Sequence, residues 1–324
     1  MKKILVTGGA GFIGSHLTEA LLARGDQVTV VDDESTGSAV NLANVTSHPH
    51  FRYIPGDIGN SELIRWVTDD VDEIYHLAAA VGVALIARQP IQTIERNIYP
   101  TQLLLAALRT QQERGRRVKF FLASTSEVYG KNPKETWCEE DDLVFGATTK
   151  ARWSYGASKA IDEFLALACW REHRLPIVIG RFFNVVGPRQ SGAYGMVLPR
   201  FVEAALGERP LVVHDDGQQI RCFAHVQDVL ASVLELMQTE LAWGKVFNIG
   251  GDQPVSILEL AQLVLRTTDR PEDQIAFQSY AEAYDEDFED IRRRVPDLSR
   301  LHSVISHRNQ YNLEAIIREL VTGH

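Results

Sequence analysis

Short apolar runs alternate with amphipathic stretches along most of the chain. Ile4-Leu5-Val6 reads as a buried strand that enters a glycine turn, Gly8 to Gly14, and then a helical pattern from Ser15 to Leu22. Apolar strands follow at Gln27 to Val31, Phe51 to Ile54 and Glu73 to Leu77, with a helix near Ser61 to Val67. A helix from about Ile98 to Arg114 is apolar on one side and precedes the strand Phe120-Phe121-Leu122-Ala123. Another helix opens at Ser154 and Tyr155, before the strand Ile177 to Ile179, a helix near Val226 to Gln238 and the strand Val246 to Ile249. Strands alternating with helices in this way predict an α/β fold built on a parallel, doubly wound sheet.

The first turn adds chemistry to this pattern. Gly8, Gly11 and Gly14 form a G-x-x-G-x-x-G spacing between strand and helix. Missing side chains there let backbone amides and the helix N-terminus approach a pyrophosphate. The second strand ends in Asp32-Asp33, at the distance expected of a carboxylate that binds an adenosine ribose and repels a 2′-phosphate, which favours NAD over NADP. Asp57 could face the adenine and Ala78-Ala79-Ala80 could pass under the cofactor, or the two could serve as a loop cap and as tight packing.

The 324 residues are 45% hydrophobic and 23% charged, enough for one large or two coupled domains. A net charge of -10 excludes a nucleic-acid or anionic-membrane footprint, so an anionic ligand must meet local cations. Arg181, Arg189, Arg221 and the run Arg292-Arg293-Arg294 are the candidates. Cys138, Cys169 and Cys222 lie far apart, which argues against disulfides and a zinc site and for a reducing, cytoplasmic setting. His48-Pro49-His50 has no further metal ligands around it, so no metal is expected. The apolar start breaks at Thr7-Gly8-Gly9, short of a signal peptide, and no stretch reaches the roughly 18 apolar residues of a membrane span.

Tyr155-Gly156-Ala157-Ser158-Lys159 sets a phenol one helical turn from an amine. An ammonium beside the phenol favours the phenolate, which makes Tyr155 a candidate proton shuttle.

Several motifs in one order identify a resemblance. They are Thr7 to Gly14, Asp32, Asp57, Thr125 to Gly130, Tyr155 to Lys159, Arg181-Phe182-Phe183-Asn184, Gly187-Pro188-Arg189, Arg221 and Phe247 to Gly251. Together they resemble the extended short-chain dehydrogenase/reductases that act as nucleotide-sugar epimerases, dehydratases and decarboxylases. The resemblance implies a Rossmann-like sheet with a smaller, interleaved substrate-binding domain. It divides the chain into residues 1–183 plus about 222–252 for NAD, and about 184–221 plus 253–324 for the nucleotide sugar.

By the same resemblance Gly8, Gly11, Phe12, Ile13, Gly14, Asp32, Asp57, Ile58, Leu77, Ala78 and Ala79 bind NAD. Tyr155 is then the catalytic base, Lys159 binds the nicotinamide ribose and lowers the tyrosine pKa, and Thr125 bonds the hydroxyl being oxidised. Asn184, Arg189 and Arg221 hold the nucleotide diphosphate side. A homodimer through a four-helix bundle is implied as well.

Residues after Thr125 separate the reactions. Thr125-Ser126-Glu127 resembles the UDP-glucuronate decarboxylases, and Arg293-Arg294-Val295-Pro296-Asp297, in the run that begins at Arg292, resembles their Arg-Arg-x-Pro-Asp, with Arg294 at the position of the active-site arginine. Ser126, Glu127 and Arg294 are therefore expected at the reacting centre, Glu127 to orient the sugar or manage the proton that replaces CO2. Arg292 and Arg293 could instead pair with Asp285, Glu286 and Asp287 in an exposed run. Tyr-Gly-Ala-Ser-Lys is epimerase-like, and His214-Asp215 stands where relatives often have Tyr-Gly beside the base, with uridine the expected nucleotide. Val81 to Arg88 should face the sugar and matches no subgroup. Decarboxylation of UDP-glucuronate to UDP-xylose is the leading expectation, a UDP-sugar 4-epimerase the alternative, and a non-catalytic nucleotide sensor the third.

Overall fold

The computed structural model describes residues 1–80, 90–192, 196–283 and 289–323. Its main sheet is built from β1 (Lys3–Thr7), β2 (Gln27–Asp32), β3 (Phe51–Pro55), β4 (Glu73–His76), β5 (Lys119–Thr125), β6 (Ile177–Phe182) and β7 (Lys245–Ile249). The order is β7-β6-β5-β4-β1-β2-β3, and every pairing is parallel. The order reverses at β1, which pairs with both β2 and β4, so the carboxyl end of β1 opens on the crevice where such sheets bind ligands.

Four helices matter most for the site: α1 (Phe12–Ala23), α2 (Ser61–Val67), α3 (Pro90–Glu113) and α4 (Ser154–His173). Side-chain alternation sends Ile4 and Val6 of β1 into one core and Leu5 into the other. The first core holds Leu17 and Leu21 of α1 with Val229 and Val233 of the helix Val226–Leu236. The second holds Ile64 of α2, Leu104, Leu105 and Leu108 of α3 and Ala166 of α4. Truncating Leu5, which is 0% exposed, to alanine costs about 3 kcal/mol.

Helix α3 begins at Pro90, eight residues before the expected Ile98, and carries Pro100 inside it. The missing Pro100 donor is one local loss in a long helix whose buried face, Thr93 to Gln111, is held by tertiary packing.

A third core joins the helices Val197–Leu206, Ile257–Thr267 and Leu313–Thr322. The helix at Ile257 is started by a full capping box between Ser256 and Glu259. Leu298, Leu301 and Ile305 pack instead into the first core under the main sheet, so the carboxyl-terminal stretch serves both layers. In a small sheet, Arg293–Arg294 runs parallel to Ile220–Cys222 with Arg294 opposite Arg221. That register carries Arg294 to the cavity described next.

Candidate active site

The carboxyl ends of the main strands and the third core enclose a cavity of about 760 Å³. One end is the glycine turn. Gly8 has φ +74, and a Cβ there would sit 2.6 Å from the Ala78 nitrogen; a Cβ on Gly14 would meet the Gly8 carbonyl at 2.1 Å. Both must be glycine for α1 to approach β1 and β4 so closely. Gly11 is the N-cap of α1 and lines the cavity with Phe12 and Ile13, so the helix N-terminus opens onto it. Asp32 closes β2 with Oδ2 accepting from the Ala10 amide at 2.9 Å and Oδ1 from the Glu34 amide at 2.8 Å. Burial raises its pKa, and the two amides work against that.

Asp57, Ile58, Leu77, Ala78 and Ala79 form further wall, with Asp57 held by the Gly59 amide at 2.7 Å. Amide donors for phosphates, a fixed carboxylate for a ribose and small residues beneath a flat ring are a donor set that fits a dinucleotide.

The other end is the reacting centre. Strand β5 delivers Thr125, whose hydroxyl accepts from the Glu127 amide at 3.2 Å and starts a short helical turn, Ser126–Tyr129. Glu127 lies between two guanidinium groups: Arg294 Nη2 is 2.5 Å from its Oε1 and Arg152 Nη1 is 2.6 Å from its Oε2. All three side chains are at most 12% exposed. Burial would raise the Glu127 pKa, but the charges of Arg294 and Arg152 outweigh it and hold the group at about 2. The two guanidinium groups thus favour the anion of Glu127.

Arg294 is itself lowered to about 10, first by burial and then by Arg221 and Arg152, against the pull of Glu127. Three guanidinium groups, Arg294, Arg221 and Arg152, face two carboxylates, Glu127 and Asp290, so the cluster carries one positive charge in excess. Tyr155 lines the cavity beside Thr125 and Glu127. Burial pushes its phenol up, the Glu127 charge adds to that, and the Thr125 hydroxyl opposes it.

The substrate-side wall carries Asn184, Arg189 and Arg221. Arg221 pairs with Asp290 at 3.1 Å; Tyr280 donates to the same carboxylate at 2.7 Å and accepts from Gln219 at 2.7 Å. Asn184 sits at φ 24 with its amide on the Cys222 carbonyl at 3.1 Å. Arg189 reaches Glu19 and Ser15 of α1 at 2.7 and 3.2 Å, tying this wall to the glycine-turn helix. His214 is in the wall near Arg200, its Nε2 3.4 Å from the guanidinium.

Other expectations change. Arg181 is no anion site: it is buried, bonded to Glu163 at 2.7 Å and placed over the Tyr129 ring. Arg292 is 59% exposed and pairs with Asp215 and Asp216, while Arg293 bonds the Glu135 carbonyl. Only Arg294 of the run lines the cavity: Arg293, its neighbour on the strand, faces the other side, and Arg292 precedes the strand. Lys159 does not line the cavity; its ammonium is 2.8 Å from Asp162. Burial and the Glu127 charge set the phenol against the lowering that a free lysine would give. Val81 to Arg88 and Asp285 to Asp287 lie outside the described residues. Among the described residues no group of three or more histidine, cysteine, aspartate or glutamate side chains could hold a metal ion.

Sequence reasoning missed Arg152, Asp162, Gln219 and Tyr280. Arg152, one turn before Tyr155, had a usable signal in its spacing.

Residues 5–320 match the family described as GDP-mannose 4,6 dehydratase. The chain belongs to that family. Its members are the extended short-chain dehydrogenase/reductases to which the motifs pointed. Among relatives of this family, the UDP-N-acetyl-alpha-D-glucosaminuronate decarboxylase of Bacillus cytotoxicus is 36% identical over 322 residues, 99% of this chain and 97% of that protein. UDP-glucuronic acid decarboxylase 2 of Arabidopsis thaliana is 34% identical over 315 residues, 96% of this chain and 65% of that longer protein. Among solved structures, the dTDP-glucose 4,6-dehydratase DesIV of Streptomyces venezuelae, with NAD bound, has a TM-score of 0.87 and 28% identity over 99% of this chain and 96% of that one.

Proposed function

We propose that this chain is an NAD-dependent UDP-uronate decarboxylase that acts on UDP-glucuronate, or its 2-acetamido analogue, through a 4-keto sugar. The observation that carries the reading is the pair of guanidinium groups, Arg294 and Arg152, converging on Glu127 beside Tyr155. A sugar carboxylate at C6 suits a centre with excess positive charge. Names of the relatives, both uronate decarboxylases, support the same class.

When bound, NAD supplies the acceptor for the hydride that leaves C4 and later returns it. Tyr155 takes the C4 hydroxyl proton, and Thr125 orients that hydroxyl. The product of this step is a β-keto acid, whose C5–C6 bond breaks with its electron pair held in an enolate; the carboxylate leaves as CO2. Arg294 binds the carboxylate and stabilises the enolate, with Arg152 beside it. Glu127 holds both arginines in place. The enolate then takes a proton at C5, from water or through Glu127, and the Tyr155 proton returns to the C4 oxygen as the hydride comes back; the low pKa of Glu127 favours water as the source.

The decisive experiment incubates the purified protein with UDP-glucuronate or UDP-N-acetylglucosaminuronate and NAD+, followed by mass spectrometry and proton NMR. Loss of one CO2 per sugar supports the reading. An isomer of unchanged mass would establish the epimerase that Tyr-Gly-Ala-Ser-Lys suggests, and no reaction with either uronate would remove the decarboxylase.

The reading includes a homodimer in a reducing cytoplasm. Helices α3 and α4 pack together and leave Ile91, Tyr99, Ile161 and Phe164 exposed, which supports a four-helix bundle with a second copy. Sedimentation as a monomer at micromolar concentration would count against it. The three cysteines are free thiols, and among the described residues no helix is long and apolar enough to cross a membrane.

A further inference from the structure

Lys159 and Asp162 lie three residues apart on α4, with Nζ 2.8 Å from Oδ2. Their side chains are 2% and 0% exposed. The second Asp162 oxygen lies beside the Thr101 hydroxyl of α3 without a well-formed hydrogen bond. Burying an ion pair this deeply contributes little to folding, since apolar residues of similar volume serve as well. The position, one turn beyond Lys159 and two beyond Tyr155, gives the carboxylate another use.

The charges of Glu127 and Arg294 act on the Tyr155 phenol, as does the Thr125 hydroxyl of β5. His76 of β4 feels the Lys159 charge and is neutral, held down to about 3 chiefly by burial. It bonds Thr7 at 2.7 Å and Thr101 at 3.2 Å. Glu163, the next carboxylate on α4, is bonded to Arg181 at 2.7 Å. Asp162 is therefore the acid that answers Lys159.

We propose that Asp162 is a positioning residue, which holds the Lys159 ammonium at the α3–α4 contact and offsets its charge at Tyr155. The working unit on this helix has three members, not two. At the phenol the charge of the carboxylate opposes that of the ammonium. Removing the carboxylate leaves the ammonium unopposed and favours the phenolate; removing the ammonium does the reverse. Removing both returns the phenol near its starting point. This goes beyond the proposed function, because decarboxylase and epimerase alike draw on Tyr155.

The test is tyrosinate absorbance of the NAD-loaded protein as a function of pH, without sugar, each variant referred to the same variant carrying Tyr155→Phe. Asp162→Asn is expected to titrate about one pH unit below wild type and Lys159→Met about one unit above. The double variant Lys159→Met with Asp162→Leu should fall between them, near wild type. The acid limb of kcat/KM for whichever sugar the protein uses should shift with the absorbance. An Asp162→Asn titration that coincides with wild type overturns the proposal, as does a double variant that matches Lys159→Met. If Asp162→Asn fails to fold, the double variant against Lys159→Met decides alone. Because the titration needs no substrate, its failure is separate from failure of the uronate reading.

Discussion

Arg294 and Glu127 come from stretches 167 residues apart in the chain and meet at 2.5 Å inside the cavity. Two pairings make the contact possible. The parallel register of Arg293–Arg294 with Ile220–Cys222 turns Arg294 inward, and the Thr125 cap turns Glu127 toward it. Arg294→Gln is expected to lower kcat for decarboxylation by about 100-fold, as loss of a group that stabilises developing negative charge does. Its affinity for UDP alone should hardly change. Steady-state kinetics and calorimetry with UDP separate the two.

Acid should weaken the fold through Glu127. Its folded pKa of about 2 lies below the unfolded value of about 4.3. The stabilisation is present above pH 4.3 and is lost as pH falls through the folded value. It amounts to about 3 kcal/mol. Urea denaturation at pH 6 and pH 3 should show about half of that loss in wild type, since pH 3 is still above the folded value, and a smaller one in Glu127→Gln. The same variant should be less stable than wild type at pH 6, because two buried guanidinium groups lose their anion.

Arg292→Ala should be close to silent. The side chain is 59% exposed and its partners, Asp215 and Asp216, are exposed too. A stability change below about 1 kcal/mol is expected, with kcat/KM unchanged. A larger loss of activity would place Arg292 in the site.

Asp32→Asn should reduce NAD affinity about tenfold, by removing a charged acceptor for the ribose. The fold should survive with some loss of stability, since the single oxygen of asparagine can accept from only one of the Ala10 and Glu34 amides and its NH2 group faces the other. Fluorescence titration with NAD+ gives the affinity, and circular dichroism confirms the fold.

Gly14→Ala should fail more severely. Its Cβ would lie 2.1 Å from the Gly8 carbonyl and 2.7 Å from the Gly9 Cα, which forces α1 away from the turn. Cofactor binding is expected to be lost, with Tm lowered by several degrees.

Much of this protein was determined by neighbouring residues. Strand, glycine turn and helix are set by apolar runs and by backbone that only glycine can supply, so β1, α1 and the acid closing β2 are legible in order. Tyr155 and Lys159 share a helix face because the helical period puts them there. What the tertiary structure decided is which charges meet. Arg181 looked like an anion site and is buried against Glu163, while Arg152 looked like nothing and reaches Glu127. Lys159 pairs with Asp162 at the α3–α4 contact and stays out of the cavity wall. A buried charge must find a partner within a few ångströms, and for Arg152, Glu127 and Arg294 that partner comes from a distant stretch, brought near by sheet register and helix packing.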